Sequence, residues 1–329
     1  MSVSIKTGIP DIFFLPEWAE AYESQDDGVA VSFEFAHSLG RIHYPFIKRL
    51  VPGTTGYFDT ITPFGLNGPL ITECQPGHEK DLAAAFDEAF QQYCTDNRII
   101  AEYIRFNPWV GNIEHFGEFY GIDKRGIAMY VDLSAGDYFM DEFKSGTRQQ
   151  VRRALKNGVT IEFDFTGETL DDFCRIYELM AKRNSIPEYY LFSRSFLEES
   201  FRKLAGKQFI INALHEGKRI STALMVHHGD YLHYHLAAND PAYFKFAANS
   251  LVLSEACRWG VDNGKKQLHL GGASTEPLYR FKGGFTKTEP LDILTGKKIR
   301  NAAVYEKISR AKVAADPETN TAHFPIYRG

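Results

Sequence analysis

The sequence predicts an α/β (α+β) protein of two tandem domains, each a mixed central sheet flanked by helices. Three observations lead there. The 329 residues correspond to about two domains at roughly 150 residues each. Both halves alternate short apolar runs of period two with longer stretches whose apolar residues recur every three or four positions. A composition of 44% hydrophobic and 24% charged residues supplies apolar surface for substantial cores, which excludes disordered, collagen-like and low-complexity classes.

In the first half, Val29 to Phe35, Gly40 to Leu50, Ile99 to Phe106 and Gly126 to Leu133 alternate between turn residues and read as strands. Glu79 to Asn97 sets Leu82, Phe86, Ala89, Phe90 and Tyr93 at helical spacing behind Pro76-Gly77, an amphipathic helix suited to packing on a sheet. In the second half, helices are expected near Thr147 to Asn157, Leu170 to Asn184 and Arg194 to Leu204. Strands follow at Gln208 to His215, Ile220 to His228 and Tyr231 to Ala238. A long helix from Asn249 to Asn263 ends at Gly264, where a left-handed cap belongs. A short strand, Gln267 to Leu270, runs into Gly271-Gly272. The boundary is expected at Lys144 to Arg148, giving domains 1–145 and 146–300. Residues 301–329 open as a helix (AAVYEKISRAKVAA) and are expected to return to the first domain as a terminal helix and tail.

Charge and cysteine usage narrow the function classes. With 37 Lys and Arg against 42 Asp and Glu, the net charge is -5, which argues against coating nucleic acid along the whole surface and leaves room for a local basic face. Cys74, Cys94, Cys174 and Cys257 lack CxxC spacing and read as reduced core thiols. The opening MSVSIKTGIPDIFFLP does not read as a secretory signal. No stretch approaches roughly 18 uninterrupted apolar residues, so no membrane span is predicted and a cytoplasmic location is expected.

Four groups of residues bear on chemistry. The loop Tyr57 to Pro69 (YFDTITPFGLNGP) holds two prolines and two glycines among aromatics. Such a chain is extended, turns sharply and suits either a cleft wall or a plain connection between strands. In GTRQQVRRALKNGV, Arg148, Arg152 and Lys156 are spaced by four, which aligns three cations on one helix face, suited to phosphates or to solvent. Gly271-Gly272-Ala273-Ser274 precedes Tyr279-Arg280-Phe281-Lys282-Gly283-Gly284-Phe285. There a lysine between aromatics and glycines is either a turn residue or a partly desolvated cation facing a developing oxyanion. His227, His228, His233 and His235 lack a companion carboxylate cluster, and no metal is expected. P-loop, GxGxxG, GxSxG and HExxH motifs are absent from the sequence.

The order of DTITPFGLNGP, the RxNPW segment (Arg105 to Trp109), RRALKNGV, the Leu170 to Leu204 stretch and HLGG…YRFKGGF resembles the FemABX family. These are the peptidoglycan interpeptide-bridge aminoacyltransferases and their FemAB-like relatives. The resemblance runs from about Asp59 to about Phe285, with RFKGGF and RRALKNGV its most specific pieces. It implies two tandem GNAT-like acyltransferase domains and transfer of an amino acid from aminoacyl-tRNA to an amine of a UDP-linked or lipid-linked peptidoglycan precursor. It also implies a Phe-Lys pair at the reacting centre, falling here on Phe281 and Lys282. The coiled-coil helix pair that some members insert in the second lobe has no counterpart in this sequence.

The expected catalytic set is Lys282, Phe281 and Tyr234, with Asp59, Arg105, Arg148, Arg152 and Tyr231 expected to bind substrate. Lys282 as ammonium would support the oxyanion formed when a neutral amine attacks an ester or thioester, and Phe281 would keep the site dry. Asp59, Tyr234 and His235 are the side-chain candidates for accepting the proton. No cofactor is expected beyond the donor. Acyl-CoA enzymes of the GNAT type grip pyrophosphate with a glycine-rich loop. The corresponding stretch here, Asn239 to Ser250, has no glycine, which favours tRNA as carrier. Two rivals remain: an acyl-CoA-dependent N-acyltransferase acting on a sugar or natural-product amine, and a non-catalytic precursor-binding protein.

Overall fold

The computed structural model describes residues 5–6, 8–134, 136–184 and 187–329. Contacts divide the chain into two compact units. The first holds the residues up to Ile9, Phe13–Arg125 and Asp292–Gly329, and the second holds Pro10–Ile12 and Gly126–Leu291. The division therefore falls at Gly126 instead of residue 145, and the return to the first unit comes at Asp292 instead of residue 301. The cause of the early return is a strand the sequence reading missed, which pairs within the first unit.

In chain order the first unit contributes β1 (Ile5–Lys6), α1 (Pro16–Ala21), β2 (Val29–His37), β3 (Gly40–Leu50), β4 (Phe58–Ile61), β5 (Leu70–Cys74), α2 (Glu79–Asp96), β6 (Ile99–Arg105) and α3 (Ile113–Phe116). Strand β7 (Gly121–Asp132) spans the division. The second unit adds α4 (Tyr138–Asp141), α5 (Ser145–Lys156), β8 (Thr160–Asp164), α6 (Leu170–Asn184), α7 (Arg194–Lys203), β9 (Gln208–His215), β10 (Lys218–His228), β11 (Tyr231–Asn239), α8 (Ala248–Asp262), β12 (Gln267–Gly272) and α9 (Glu276–Lys282). The chain ends with β13 (Leu291–Ile299) and α10 (Ala302–Ala315).

Within the first unit the strands run β1-β5-β3-β4-β6-β13, with β2 also on β3. The β4/β6 pair is parallel and β6/β13 is antiparallel, so the sheet is mixed. Helix α2 buries Leu82, Phe86 and Phe90 of the expected stripe together with Ala83 and Cys94 against Tyr44, Phe46 and Phe106, while Ala89 and Tyr93 are half-buried. Each fully buried aromatic there contributes about 1.5–3 kcal/mol over exposure. The loop after Phe58 is not wholly irregular: Phe58–Ile61 is β4. Beyond it, asparagines knit the DTITPFGLNGP and RxNPW segments together. Asn67 Nδ2 donates to the carbonyls of Phe13 and Pro45 at 3.2 and 3.0 Å, and Asn112 Nδ2 donates to those of Asn67 and Pro69 at 2.9 and 3.0 Å. Gly68, at φ +105°, brings its Cα so close that a Cβ would lie 2.9 Å from Asn112 Nδ2.

Within the second unit the strands run β7-β12-β11-β10-β9-β8. Only β11/β12 is parallel, joined by α8 as a crossover helix, so this sheet is mixed too. Helix α8 buries residues nearly all round, among them Leu251, Val252, Leu253, Ala256 and Cys257, and Gly264 at φ +68° ends it. The β11/β12 register covers only Tyr231–His233 and Gln267–His269. Past it the two strands no longer bond each other, which opens room between their C-terminal ends. Cys74, Cys94 and Cys257 are buried free thiols and Cys174 is half-buried. Among the described residues no helix is long and apolar enough to cross a membrane.

Candidate active site

A cleft of about 1210 Å³ opens in the second unit where β11 and β12 diverge. Asn239 ends β11 on one side, and Ser274 and Thr275 follow β12 on the other. Ala247 and the start of α8 to Ser250 form the floor, Gln150 of α5 contributes an amide, Arg153 of α5 and Arg183 of α6 contribute positive charge, and Phe281 closes the wall from α9.

Lys282 is the last residue of α9 and is 8% exposed. Its ammonium donates to the carbonyl of Gly272 at 2.6 Å, just beyond Gly271 at φ +72°. Burial pulls its pKa down from the usual lysine range to about 8. Phe281 meets Phe285 edge-on at 5.2 Å, and Phe285 meets Phe143 at 5.1 Å, so the aromatic beside the lysine is clamped from below. The double glycine of RFKGGF is required by close approach. A Cβ on Gly284 would lie 2.3 Å from Thr147 Oγ1, and the Gly284 carbonyl accepts from Lys144 N at 2.9 Å. The motif thus seats α9 on the start of α5, the helix that carries RRALKNGV.

Tyr234 reaches the same cleft indirectly. Its hydroxyl donates to Asn249 Oδ1 at 2.8 Å, Asn249 lines the cleft, and burial raises the phenol pKa well above its ordinary value. His235 is driven down to about 3 by burial and then by His233, so it is neutral near pH 7.

The other expected binding residues are engaged elsewhere. Arg148 donates from Nη1 to the carbonyl of Phe143 and, at 3.4 Å, to that of Met140. Arg152 lies over the Phe139 ring at 5.7 Å. The cation of this helix that lines the cleft is the next residue, Arg153. Helix α5 buries Thr147, Val151 and Ala154, and Gln150 and Arg153 flank that stripe on the side that looks into the cleft. Arg183 stacks over Phe244 at 4.6 Å beside it. The spacing in the sequence aligned Arg148, Arg152 and Lys156 and left Arg153 off that face, because the face a charged helix turns to a cleft depends on what its apolar stripe packs against. Tyr231 meets the His269 ring at a tilt, 4.8 Å between centroids, away from the cleft lining.

Asp59 and Arg105 belong to the first unit. Both carboxylate oxygens of the fully buried Asp59 are taken, by Arg49 Nε at 2.8 Å and Arg328 Nε at 2.6 Å, which ties β3 and β4 to the C-terminal turn. That occupancy argues against Asp59 as a proton acceptor. Arg105 Nη2 donates to the carbonyls of Thr62 and Pro63 at 2.6 and 3.2 Å and braces the loop after β4.

Residues 142–283, which hold every residue of the cleft, match the acetyltransferase (GNAT) domain family. A UDP-N-acetylmuramoylpentapeptide-lysine N(6)-alanyltransferase of Weissella viridescens is 26% identical over 174 residues, 51% of each chain. The solved structure of FemX superposes with a TM-score of 0.73 at 14% identity, covering 91% of this chain and 94% of that one. The chain has the fold of FemX. The structure of L-PGS from Bacillus licheniformis also shares the fold, with a TM-score of 0.51 at 15% identity over 92% of this chain and 96% of that one. The chain spans about half the length of the curated relative it matches.

Proposed function

We propose that this FemABX-like protein is an aminoacyltransferase that moves an amino acid from aminoacyl-tRNA to an amine of a peptidoglycan precursor, as in interpeptide-bridge formation. The observation that carries the reading is Lys282: a buried ammonium beside a cleft aromatic, inside the region that matches a GNAT domain and at the Phe-Lys position of the family resemblance. The Weissella relative acts, by its name, on the lysine of a UDP-linked muramoylpentapeptide, which supports that acceptor class here.

The chemistry follows from the site. The acceptor nitrogen attacks the ester carbonyl carbon, forming the C–N bond and placing negative charge on the carbonyl oxygen. Collapse breaks the C–O bond to the carrier's ribose, and the proton lost by nitrogen ends on that leaving oxygen. Lys282 has three N–H donors and the Gly272 carbonyl takes one, which leaves two for the oxyanion. A donor of this kind is worth about 3 kcal/mol of barrier. Phe281 excludes water, and Tyr234 holds Asn249 in the cleft floor. Arg153 and Arg183 supply the local positive charge that a phosphate-bearing donor needs on a chain of net negative charge.

Single-turnover transfer from a pool of labelled aminoacyl-tRNAs to UDP-MurNAc-pentapeptide tests this. Label on the precursor, lost after RNase and reduced about 10²–10³-fold in Lys282→Ala, is the expected result, with the wild-type rate falling as pH rises through about 8, where Lys282 loses its proton. RNase-resistant transfer that needs acyl-CoA and releases a thiol would transfer the assignment to the acyl-CoA reading, which the GNAT match favours. Precursor binding without turnover in either format, unchanged in Lys282→Ala, would leave a non-catalytic binding protein.

A further inference from the structure

Away from the cleft, three chain segments bring metal-ligating side chains to one buried point of the second unit. Asp11 comes from the Pro10–Ile12 segment, His233 from β11 and His269 from β12; they are 0%, 4% and 1% exposed. One donor atom from each lies within 4.8 Å of the other two. Asp11 Oδ2 is 3.2 Å from His233 Nε2, and the Nδ1 atoms of His233 and His269 are 3.2 Å apart.

The surroundings hold this arrangement. His233 and His269 are register partners in the parallel β11/β12 pair, which puts both imidazoles on one face of the sheet. His269 Nε2 meets Gln267 Oε1 at 3.0 Å. An amide oxygen only accepts, so Nε2 carries the hydrogen and the Nδ1 lone pair turns inward, the tautomer that a metal-bound histidine takes when its other nitrogen donates to an oxygen. Tyr231 packs at a tilt against His269 and Tyr130 meets it edge-on at 6.4 Å, walling that imidazole. Gly229 at φ +51° lets the Pro10–Ile12 segment approach the β10–β11 turn: a Cβ there would lie 2.5 Å from the Pro10 carbonyl.

We propose that Asp11, His233 and His269 form a binding site for a divalent cation of the zinc class. Two imidazoles and one carboxylate are the nitrogen and oxygen donors that such a borderline ion takes, and three protein ligands leave the fourth tetrahedral position to water. Donors about 2.1 Å from one ion lie roughly 3.4 Å from each other, a spacing within reach of three donor atoms that already lie within 4.8 Å of one another. The bound ion clips the Pro10–Ile12 segment to the sheet, and through β12 it steadies the strand whose Gly272 carbonyl holds Lys282.

The test uses chelator-treated full-length protein titrated with Zn²⁺ and with Co²⁺. One equivalent bound is expected, with the visible bands of a nitrogen-oxygen cobalt site and a shift of the His269 imidazole nitrogens in ¹H–¹⁵N spectra. At 100-fold excess over Kd the Tm should rise by roughly 5–10 °C. Asp11→Asn and His269→Gln should each lose the stoichiometric site and the Tm shift, while His235→Gln should keep both. Failure of wild-type protein to bind an equivalent, or undiminished binding in both ligand variants, would overturn the proposal and leave a hydrogen-bonded Asp-His-His array. If a ligand variant does not fold, the wild-type stoichiometry and nitrogen shifts still decide. Neither readout involves acyl transfer.

Discussion

The two units bury charge in opposite ways. In the first, the fully buried Arg300 donates to Glu102 Oε2 from Nε at 2.9 Å and Nη2 at 2.6 Å and reaches Asp87 Oδ1 at 3.0 Å, while Tyr44 and Tyr120 donate to Glu102 Oε1 at 2.9 and 3.1 Å. Every charge there has an opposite charge and further hydrogen bonds to offset its desolvation. In the second, Lys282 rests on a carbonyl, has no ion pair among the described residues, and has a depressed pKa. A satisfied network fixes β13 on β6. A lone buried ammonium strains the fold and is what a transfer site needs, because its charge strengthens when an oxyanion forms beside it.

The contrast breaks most visibly at Arg300. Arg300→Met leaves Glu102 buried without its cation and should cost about 3–5 kcal/mol, read from urea unfolding; adding Glu102→Gln should recover much of it. A loss under about 1 kcal/mol, the scale of a surface pair, would mean that the buried network does not hold the first unit.

Lys282→Met should do the reverse. A shift from 10.5 to about 8 implies up to about 3 kcal/mol of burial penalty at 1.36 kcal/mol per unit, so removing the charge, less the lost hydrogen bond, should stabilise by about 2 kcal/mol while transfer falls. The sign follows from proton uptake. Between pH 8 and 10.5 the unfolded chain binds more protons, so wild-type stability rises with pH there. The gain from Lys282→Met is therefore full below pH 8 and fades toward 10.5, as pH-dependent melting would show. A destabilised Lys282→Met protein at pH 7 would mean that the lysine is structural.

The smallest effect separates neighbours on one helix. Arg153→Gln should raise KM for the phosphate-bearing donor about 3–10-fold, a loss of about 1 kcal/mol, with Arg152→Gln unchanged within error. Equal effects would show that the face assignment of α5 is wrong.

Much of this was legible before the structure. The α2 stripe, the α8 helix with its Gly264 cap and the strands β2, β3, β6 and β9 to β12 follow from spacing, because local periodicity reports which face is buried. Strands β4, β5, β8 and β13 were missed: they are short or polar, and tertiary pairing overrides weak pattern. At the site, Phe281 and Lys282 were named from a motif. Arg153 was hidden behind Arg148 and Arg152, and Asp59 and Arg105 turned out to be braces.

The sequence by itself determined the mixed α/β elements, the aromatic cores, the RFKGGF seat and the lysine within it, since these depend on residues close along the chain. Only the tertiary structure decided that β11 and β12 part to make a cleft, that Lys282 is buried enough to lose much of its basicity, and that Asp11 meets His233 and His269. Desolvation and clustering are set by what distant segments bring to one point, and no local pattern encodes that.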